Sequence, residues 1–468
     1  MTSALSLRLP QGNSTPHALS SFLSHFPNIS SLSLTLDSHR LSVSPDHILL
    51  SVALSCRKLT HLSLQTLPPN PVSRSSLLSL STSCPHLTSL HVALSTPCSF
   101  HWLLSFRNLK HLSTILTSFR KGSDSKESDS EPVGAASEGK FDGHLELETL
   151  SVTSAFRVRR GDYDLDSDSL WKSCKKLKKL HLNNCWFDKS TSSFVDCLKG
   201  LQEVELLHCK PVLDIILPKL VENGASLSSL LVEHNGNEPD DGTGLLHFIT
   251  HSGCHLRKLD VRLPHFITAE LLMAVAKKCT GLSSLGIRCC WSATAEGLKA
   301  AILAISNIDL EELALVGCEL QPGLVTILGQ KFRNLRCLDL SWGLYEVATE
   351  ELTSMLGSCN CLRELKLRGR YGWTNALVVS MFESCKQLEI LDIIGCSGID
   401  AESVELFIVN CPRLRRIHVE ERKLSDVSKR WASKKLVELS SSTHIIALLF
   451  LFFFLFFILP KEQKYTMG

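Results

Sequence analysis

Leucine-type residues recur along most of the chain with one spacing, at positions i, i+3 and i+5. The stretch CKQLEILDIIGC, residues 385–396, shows the pattern at Leu388, Leu391 and Ile393. From residue 147 to residue 414 successive copies follow one another at intervals of 24 to 30 residues. Further copies begin at Ile29, Leu59, Leu87, Leu147, Leu177, Leu201, Leu227, Leu256, Leu282, Leu310, Leu335, Leu362 and Leu414.

Each copy predicts a short strand followed by a helix. Positions i+3 and i+5 lie on one face of a strand, because side chains alternate with period two. Between copies, stretches such as TAELLMAVAKKCTG, residues 268–281, repeat apolar residues every three to four positions, which indicates a helix. Neither element can bury its apolar side alone, so each repeat must pack on the next. The sequence therefore predicts an α/β leucine-rich-repeat solenoid of about fifteen or sixteen repeats, a horseshoe with concave parallel strands and convex helices.

The repeats define the expected domain organisation. We assign residues 1–420 to the array and residues 421–444 to a C-terminal cap, whose helix should turn Val427, Trp431, Leu436 and Leu439 towards the array. Residues 121–143 are polar, rich in serine and acidic residues and without periodicity, so we expect a disordered insertion there.

The last segment, residues 445–468, differs from everything before it. Its uninterrupted apolar run from Ile445 to Leu459 is shorter than the roughly 17–25 residues that span a bilayer. Three interpretations stay open: a tail anchor flanked by Lys461 and Lys464, a buried core helix, or a translated non-coding tract of an aberrant splice product.

Cysteine is abundant, with 18 residues, and most of them keep fixed places in the repeat. A zinc site would need four ligands that converge on one point, whereas here one residue falls in each repeat. A small apolar residue suits the crowded corners where helix and strand meet, so we interpret the set as packing residues with free thiols. Its members are Cys56, Cys84, Cys174, Cys279, Cys359, Cys385 and Cys411 before the strands, and Cys185, Cys209, Cys290, Cys318 and Cys396 after them.

The unit C-x-x-L-x-x-L-x-L-x-x-C, seen in CKKLKKLHLNNC (residues 174–185) and CKQLEILDIIGC, resembles the cysteine-containing repeats of F-box/LRR proteins, a ribonuclease-inhibitor-like class. CPRLRRIHV (411–419) and CPHLTSLHV (84–92) match its first half. The resemblance implies a substrate-recognition subunit of an SCF-type ubiquitin ligase, acting in ubiquitin-dependent protein degradation. In that family an F-box docks on a Skp-type adaptor and the repeats capture the substrate.

The beginning of the chain departs from the family pattern. Repeat-like sequence starts at Ala4, so we expect this chain to lack the F-box and an adaptor to bind only a longer isoform that carries one. The stretch SPDHILLSVALSCRKL, residues 44–59, superficially resembles an F-box opening. Its Cys56 and Leu59 keep the repeat spacing, which favours a repeat helix instead.

Composition and motifs point away from catalysis. The net charge is +2 with 21% charged residues, which gives no global attraction to nucleic acid. The chain contains no phosphate-binding G-x-x-x-x-G-K-[ST] loop, no G-x-S-x-G elbow and no H-E-x-x-H motif. We therefore expect a non-enzymatic protein without cofactor or metal. Two alternatives are a scaffold unconnected to ubiquitin and a GTPase-activating LRR protein, which would need a catalytic loop residue that the sequence does not identify.

Binding residues are expected on the concave strand face, at i+2, i+4 and i+6, and in the turns that follow. Charged residues there include Asp260, Asp392 and Glu420. We expect a substrate protein as the partner, no nucleic acid, a cytoplasmic or nuclear location, and a membrane contact only through the tail. Arginine and tryptophan anchor many protein interfaces. The predicted patch consists of Arg288, Trp291, Asp339, Trp342, Lys366, Arg368, Arg370, Tyr371 and Trp373.

Overall fold

The structure, a computed structural model, forms two compact units. The first unit comprises Met1–Asn235 and Pro239–His255, and the second comprises Gly236–Glu238 and Leu256–Gly468. The residues described are 4–8, 16–37, 44–67, 69–96, 100–118, 144–155, 168–185, 200–209, 212–233, 242–263, 266–290, 293–305, 308–320, 322–343, 349–369 and 375–441.

The first unit alternates strands and helices, and each of its strands pairs in parallel with the next one along the chain. Its strands are β1 (Ala4–Arg8), β2 (Ser31–Asp37), β3 (His61–Leu67), β4 (Ser89–Thr96), β5 (His111–Ser118), β6 (Thr149–Ser154), β7 (Lys179–Asn183), β8 (Glu203–Leu207) and β9 (Ser229–Glu233). Its α-helices are α1 (Pro16–Ser24), α2 (Pro45–Ser55), α3 (Arg74–Ser83), α4 (Asp168–Ser173), α5 (Leu217–Glu222) and α6 (Thr243–Ser252). Short helical turns of other types cover His101–Ser105, Val212–Ile216 and Gly253–His255.

The second unit repeats the same plan, again with every strand parallel to the next. Its strands are β10 (Lys258–Arg262), β11 (Ser284–Arg288), β12 (Glu312–Val316), β13 (Cys337–Asp339), β14 (Glu364–Lys366), β15 (Ile390–Asp392), β16 (Arg416–His418) and β17 (Glu438–Ser440). Its helices are α7 (Ala269–Lys278), α8 (Ala295–Ile305), α9 (Leu324–Lys331), α10 (Thr349–Ser358), α11 (Asn375–Ser384), α12 (Ala401–Asn410) and α13 (Asp426–Lys435), with a 3₁₀ turn at Glu421–Lys423.

The strand register places the repeating leucines side by side in a buried row. In the second unit Leu259 pairs with Leu285, Leu285 with Leu313, and so on to Ile417, and all of these side chains are at most 2% exposed. The first unit shows the same row from Leu32 to Leu230. Burying one such side chain stabilises the fold by about 1.5–3 kcal/mol, so the row is the main source of cohesion between repeats. The predicted α/β leucine-rich-repeat fold is confirmed.

Local signals in the sequence set both ends of many helices. A serine, threonine or aspartate caps the first turn by accepting a hydrogen bond from a backbone N–H that has no helical partner. The cysteine three residues before the first leucine of a repeat lies at the other end, where its own N–H donates to a carbonyl of the helix, as in Cys84 N to Leu80 O at 2.8 Å. The capping residues are Ser44, Ser73, Thr268, Asp400 and Ser425.

The twelve cysteines that follow the repeat spacing are all buried and free, as their interpretation as packing residues predicts. Those after the strands point their thiols at main-chain carbonyls of the preceding repeat, for example Cys209 Sγ to Leu182 O at 3.3 Å and Cys396 Sγ to Leu367 O at 2.9 Å. Burial raises the pKa of Cys290 to about 11 and that of Cys385 to about 12. These thiols therefore stay protonated at neutral pH.

The predicted cap folds as helix α13 followed by β17, which pairs in parallel with β16. The expectation that Leu436 faces the array is wrong: the helix ends at Lys435, and Leu436 adopts the left-handed conformation with 88% of its surface exposed. Trp431 is 39% exposed, and Lys434 Nζ lies 5.0 Å from the centre of its ring. The boundaries of the array and the cap stay a prediction.

Two predicted segments, the insertion 121–143 and the tail 445–468, lie outside the described residues. Among the residues that are described, no helix combines the length and the apolar character needed to cross a bilayer.

Candidate functional site

Each unit has an open sheet face, made by the strand side chains that alternate with the buried leucines. In the first unit this face consists mainly of serine, threonine and histidine. His91 Nδ1 lies 2.8 Å from Ser113 Oγ, and His111 Nδ1 lies 3.1 Å from Thr149 Oγ1. Burial lowers the pKa of His91, so its imidazole favours the neutral form.

The open face of the second unit is charged instead, and several of its charges are held in ion pairs. Arg288 Nε lies 3.1 Å from Asp260 Oδ1, and Arg288 Nη1 lies 3.7 Å from Asp339 Oδ2. Arg262 Nε adds a further contact to Asp260 at 3.4 Å. One guanidinium thus connects carboxylates on β10 and β13, which fixes the rotamers of all three side chains.

The predicted patch residues Arg288, Asp339 and Lys366 border one recess in this face. Lys366 Nζ is bound to Glu364 Oε1 within the same strand at 2.7 Å. All three side chains are partly accessible, so they can contact a partner without a change of fold.

Arg368 and Trp342 lie beyond the strand ends, in neighbouring turns. Arg368 Nε donates to Asp392 Oδ2 at 2.6 Å, and this contact raises the pKa of the guanidinium. Trp342 N–H donates to Arg368 O at 2.8 Å. A Cβ on Gly369 would lie 2.3 Å from Trp342 Cε3, so the indole ring rests directly on this glycine. Part of the tryptophan surface is therefore used for packing between repeats.

Trp342 belongs to a series of turn residues with left-handed backbone. A bulky aromatic residue rarely adopts positive φ, so its value of 59° marks a turn that the surrounding structure enforces. The main-chain N–H groups of six members of this series, Asn184 to Gly369, donate to carbonyls of the next repeat, as in Gly369 N to Ile394 O at 2.9 Å. The series comprises Asn184, His208, Cys289, Gly317, Trp342, Gly369 and Gly395.

The remaining members of the predicted patch, Trp291, Arg370, Tyr371 and Trp373, lie outside the described residues. Whether the full patch binds a partner stays a prediction. Three charged residues that we expected to be available on this face are buried instead, because they pair with neighbouring cations. They are Asp260, Asp392 and Glu420, at 8%, 1% and 7% exposure.

Sequence reasoning missed the residues that shape the recess. Its volume is about 230 Å³, and Gly286 and Ala314 form its floor between the longer residues Asp260 and Asp339. Small apolar residues carry no chemical signature, but a glycine and an alanine at i+4 in consecutive repeats could have shown where the face is hollow. Lys258 and Glu364, which lie at predicted concave-face positions, also line the recess, and further lining residues that were not singled out are Ser284, Glu312 and Cys337.

The recess offers hydrogen bonds and charges rather than a reactive group. Burial raises the pKa of the Cys337 thiol to about 11, helped by Glu364 and Glu312, so its nucleophilic thiolate is scarce at neutral pH. Across the described part of the chain, no three His, Cys, Asp or Glu side chains come together as a metal site. The arrangement is suited to recognition.

Fold and face together define a leucine-rich-repeat protein. Among curated proteins, the chain is similar to F-box protein SKIP19 of Arabidopsis thaliana, at 25% identity over 142 residues, covering 30% of this chain and 46% of that protein. It is also similar to F-box/LRR-repeat protein 4 of Bos taurus, at 25% identity over 202 residues, covering 36% of this chain and 32% of that protein. These matches span less than half the length of either relative. No family model matches the chain.

Among solved structures, the chain resembles one in the crystal structure of the yeast Rad7 and Elc1 complex, with a TM-score of 0.44 and 15% identity, covering 88% of this chain and 84% of that one. A chain in the TLR13–ssRNA13 complex gives a TM-score of 0.38 and 16% identity, covering 93% of this chain and 61% of that one.

Proposed function

We propose that this protein is a recognition module that captures a substrate protein for an SCF-type ubiquitin ligase. The observation that carries the proposal is the sequence similarity to two F-box proteins, one of them an F-box/LRR-repeat protein, in a chain with a leucine-rich-repeat fold. The module acts by binding, without catalysing a reaction, in the cytoplasm or nucleus.

The open face of the second unit is the proposed capture surface. Its partly exposed charges are prearranged by ion pairs, as in the contacts of Arg288 with Asp260 and Asp339. Prearranged side chains lose little conformational freedom on binding, which favours affinity and specificity.

The link to the ligase is tested by co-purification with a Skp-type adaptor. In the proposed arrangement an F-box supplies the docking helices, so we expect a longer isoform with an F-box to retain the adaptor. Failure of an F-box-bearing isoform to bind the adaptor would remove the ubiquitin assignment and leave a scaffold.

The capture surface is tested by quantitative interaction proteomics on a paired set of variants. Arg288→Ala with Lys366→Ala should deplete a specific set of bound proteins. The control, Lys278→Ala with Lys331→Ala, removes two exposed lysines from helices of the same unit and should leave that set intact. Equal depletion by both variants, or by neither, would contradict the assignment of the surface.

A further inference from the structure

The recess around Gly286 and Ala314 has the size of one side chain. Small-molecule sites commonly occupy about 300–1,000 Å³, whereas this recess measures about 230 Å³. The space over Gly286 is covered by the Asp260 carboxyl group, because a Cβ placed on this buried glycine would lie 2.7 Å from Asp260 Cγ and 2.9 Å from its Oδ1. A group that enters from the open face therefore meets an apolar floor at Ala314, which is partly accessible, and a polar wall around it.

The charges on the wall are unequally paired, although their numbers are equal when Arg262 is counted with the lining residues. Asp260 is matched by Arg288 and Arg262, and Glu364 is matched by Lys366. The charged residues that line the recess are four carboxylates and three cations: Lys258, Asp260, Arg288, Glu312, Asp339, Glu364 and Lys366.

Glu312 on β12 is the wall carboxylate without an ion pair among the described residues, and Lys258, two strands away on β10, is the corresponding cation. Ser284 Oγ donates to Glu312 Oε2 at 2.8 Å, and within the described residues no lysine or arginine forms an ion pair with this glutamate. Asp339 is held less tightly than Asp260, since its distance to Arg288 Nη1 is 3.7 Å. A cation between Glu312 and Asp339 would be attracted by both carboxylates, while an anion would be repelled by them.

We infer that the recess takes the side chain of a lysine or arginine from the captured protein, with its methylene stem over Ala314 and its charged end between Glu312 and Asp339. Long basic side chains commonly cover apolar surface with the stem and keep the charge at a polar edge. This inference rests on the proposed function, because it names the chemistry of the segment that the surface recognises.

Cys337 lines the recess and allows a test without the natural partner. The full chain is equilibrated with cystamine and 2-hydroxyethyl disulfide at equal concentrations, together with their thiols. In each exchange Cys337 forms a mixed disulfide and one half of the probe leaves as a thiol. The cationic and neutral adducts are similar in size. Because both form on the same thiol, their ratio at equilibrium does not depend on the pKa or the accessibility of Cys337.

Exposed Cys361 in the same unit is the internal control. We expect the ratio of cationic to neutral adduct to be about 3- to 10-fold higher at Cys337 than at Cys361. This is the effect of one screened charge contact near a protein surface. Intact-mass and peptide mass spectrometry give both ratios from one sample.

Two variants separate charge from shape. Glu312→Gln should bring the ratio at Cys337 down to that at Cys361, while Ala314→Leu should fill the floor and reduce both adducts at Cys337 without changing Cys361. The thermal melting of each variant checks that it is folded. A ratio at Cys337 equal to that at Cys361 in the unmodified chain, or an unchanged ratio in Glu312→Gln, overturns the inference. Adaptor binding by the F-box-bearing isoform is measured separately. A recess that shows no preference for the cation would therefore leave the ligase proposal intact, and a lack of adaptor binding would leave the inference about the recess intact.

Discussion

The two open sheet faces are each built on a buried leucine row and differ in the side chains that most of their strands present to solvent. The first unit presents mainly hydroxyl and imidazole groups such as Ser113 and His91, which share a hydrogen bond, and carries ion pairs such as Lys179 with Glu203 on its last strands. The second presents carboxylates and guanidiniums such as Asp260 and Arg288, joined by ion pairs. Because alternate strand positions are free of packing constraints, the repeat fold sets the core and leaves the open face to function.

The largest expected effect tests the part that the two units share. Leu150→Ala in the first unit and Leu365→Ala in the second each remove a side chain with 0% exposure, so each should lower the free energy of unfolding by about 2–5 kcal/mol. Their open-face neighbours, Ser151→Ala and Lys366→Ala, should each cost about 0.5 kcal/mol or less. Urea denaturation, with hydrogen exchange followed separately in each unit, measures these losses of stability. A leucine variant that loses no more stability than its open-face neighbour would contradict the shared role of the leucine row.

A second effect distinguishes the turns of the two units. Gly369 in the second unit and Gly224 in the first have nearly equal φ values, 64° and 65°. An added Cβ would strike the Trp342 ring at 2.3 Å in one case and meet nothing within 4 Å in the other. Gly369→Ala should therefore cost about 3 kcal/mol and Gly224→Ala about 1 kcal/mol, because both share the backbone strain and only the first adds the clash. Calorimetry of both variants should show this difference in stability. The double variant Gly369→Ala with Trp342→Ala should lose less stability than the two single changes together, because it removes the clash with the ring.

A third effect concerns the ion pairs. Asp392, with its side chain 1% exposed, binds Arg368, which is 38% exposed, so Asp392→Ala should cost about 2 kcal/mol after allowance for the exposure of the arginine. In the first unit Glu203 pairs with Lys179 at 2.8 Å, but both side chains are well exposed, at 37% and 46%. Glu203→Ala should cost about 0.5 kcal/mol. Similar losses in chemical denaturation would show that the second face is no more prearranged than the first.

The smallest effect has the opposite sign. Thr114 Oγ1 is buried in the first unit and has no hydrogen-bond partner among the described residues. Thr114→Val should raise the free energy of unfolding by about 1 kcal/mol, because it removes an unsatisfied polar group. Thr117 Oγ1 donates to Leu94 O at 3.3 Å, so Thr117→Val should be destabilising. Thermal melting of the two variants measures both effects. If both variants shift the melting temperature in the same direction, this explanation is wrong.

The repeat core was predictable because its signal is local and repeated. Leu388, Leu391 and Ile393 give the spacing, and the same spacing elsewhere gives parallel strands whose register follows. The end of helix α13 was not predictable in this way, since Leu436 continues an apolar pattern that the left-handed turn interrupts.

The candidate site was predictable only in part. Contacts between side chains of different repeats depend on the distances between their strands, and the sequence of a single repeat does not determine those distances. Arg288 was recognisable as a binding residue by type, but its bridge from Asp260 to Asp339 spans three strand-to-strand steps. Asp392 looked accessible by position and is buried because Arg368 covers it. The hollow at Gly286 follows from the absence of a side chain, which a search for reactive residue types overlooks.

The buried thiols make the array a set of local reporters of its own opening. Buried thiols such as Cys185 and Cys209 in the first unit, or Cys318 and Cys396 in the second, are shielded from an alkylating reagent until their repeat opens. The alkylation rate at each cysteine then measures the opening free energy of that repeat, in the same way as hydrogen exchange but with a chemical mark that persists. A bound partner would be located by the repeats in which this rate falls.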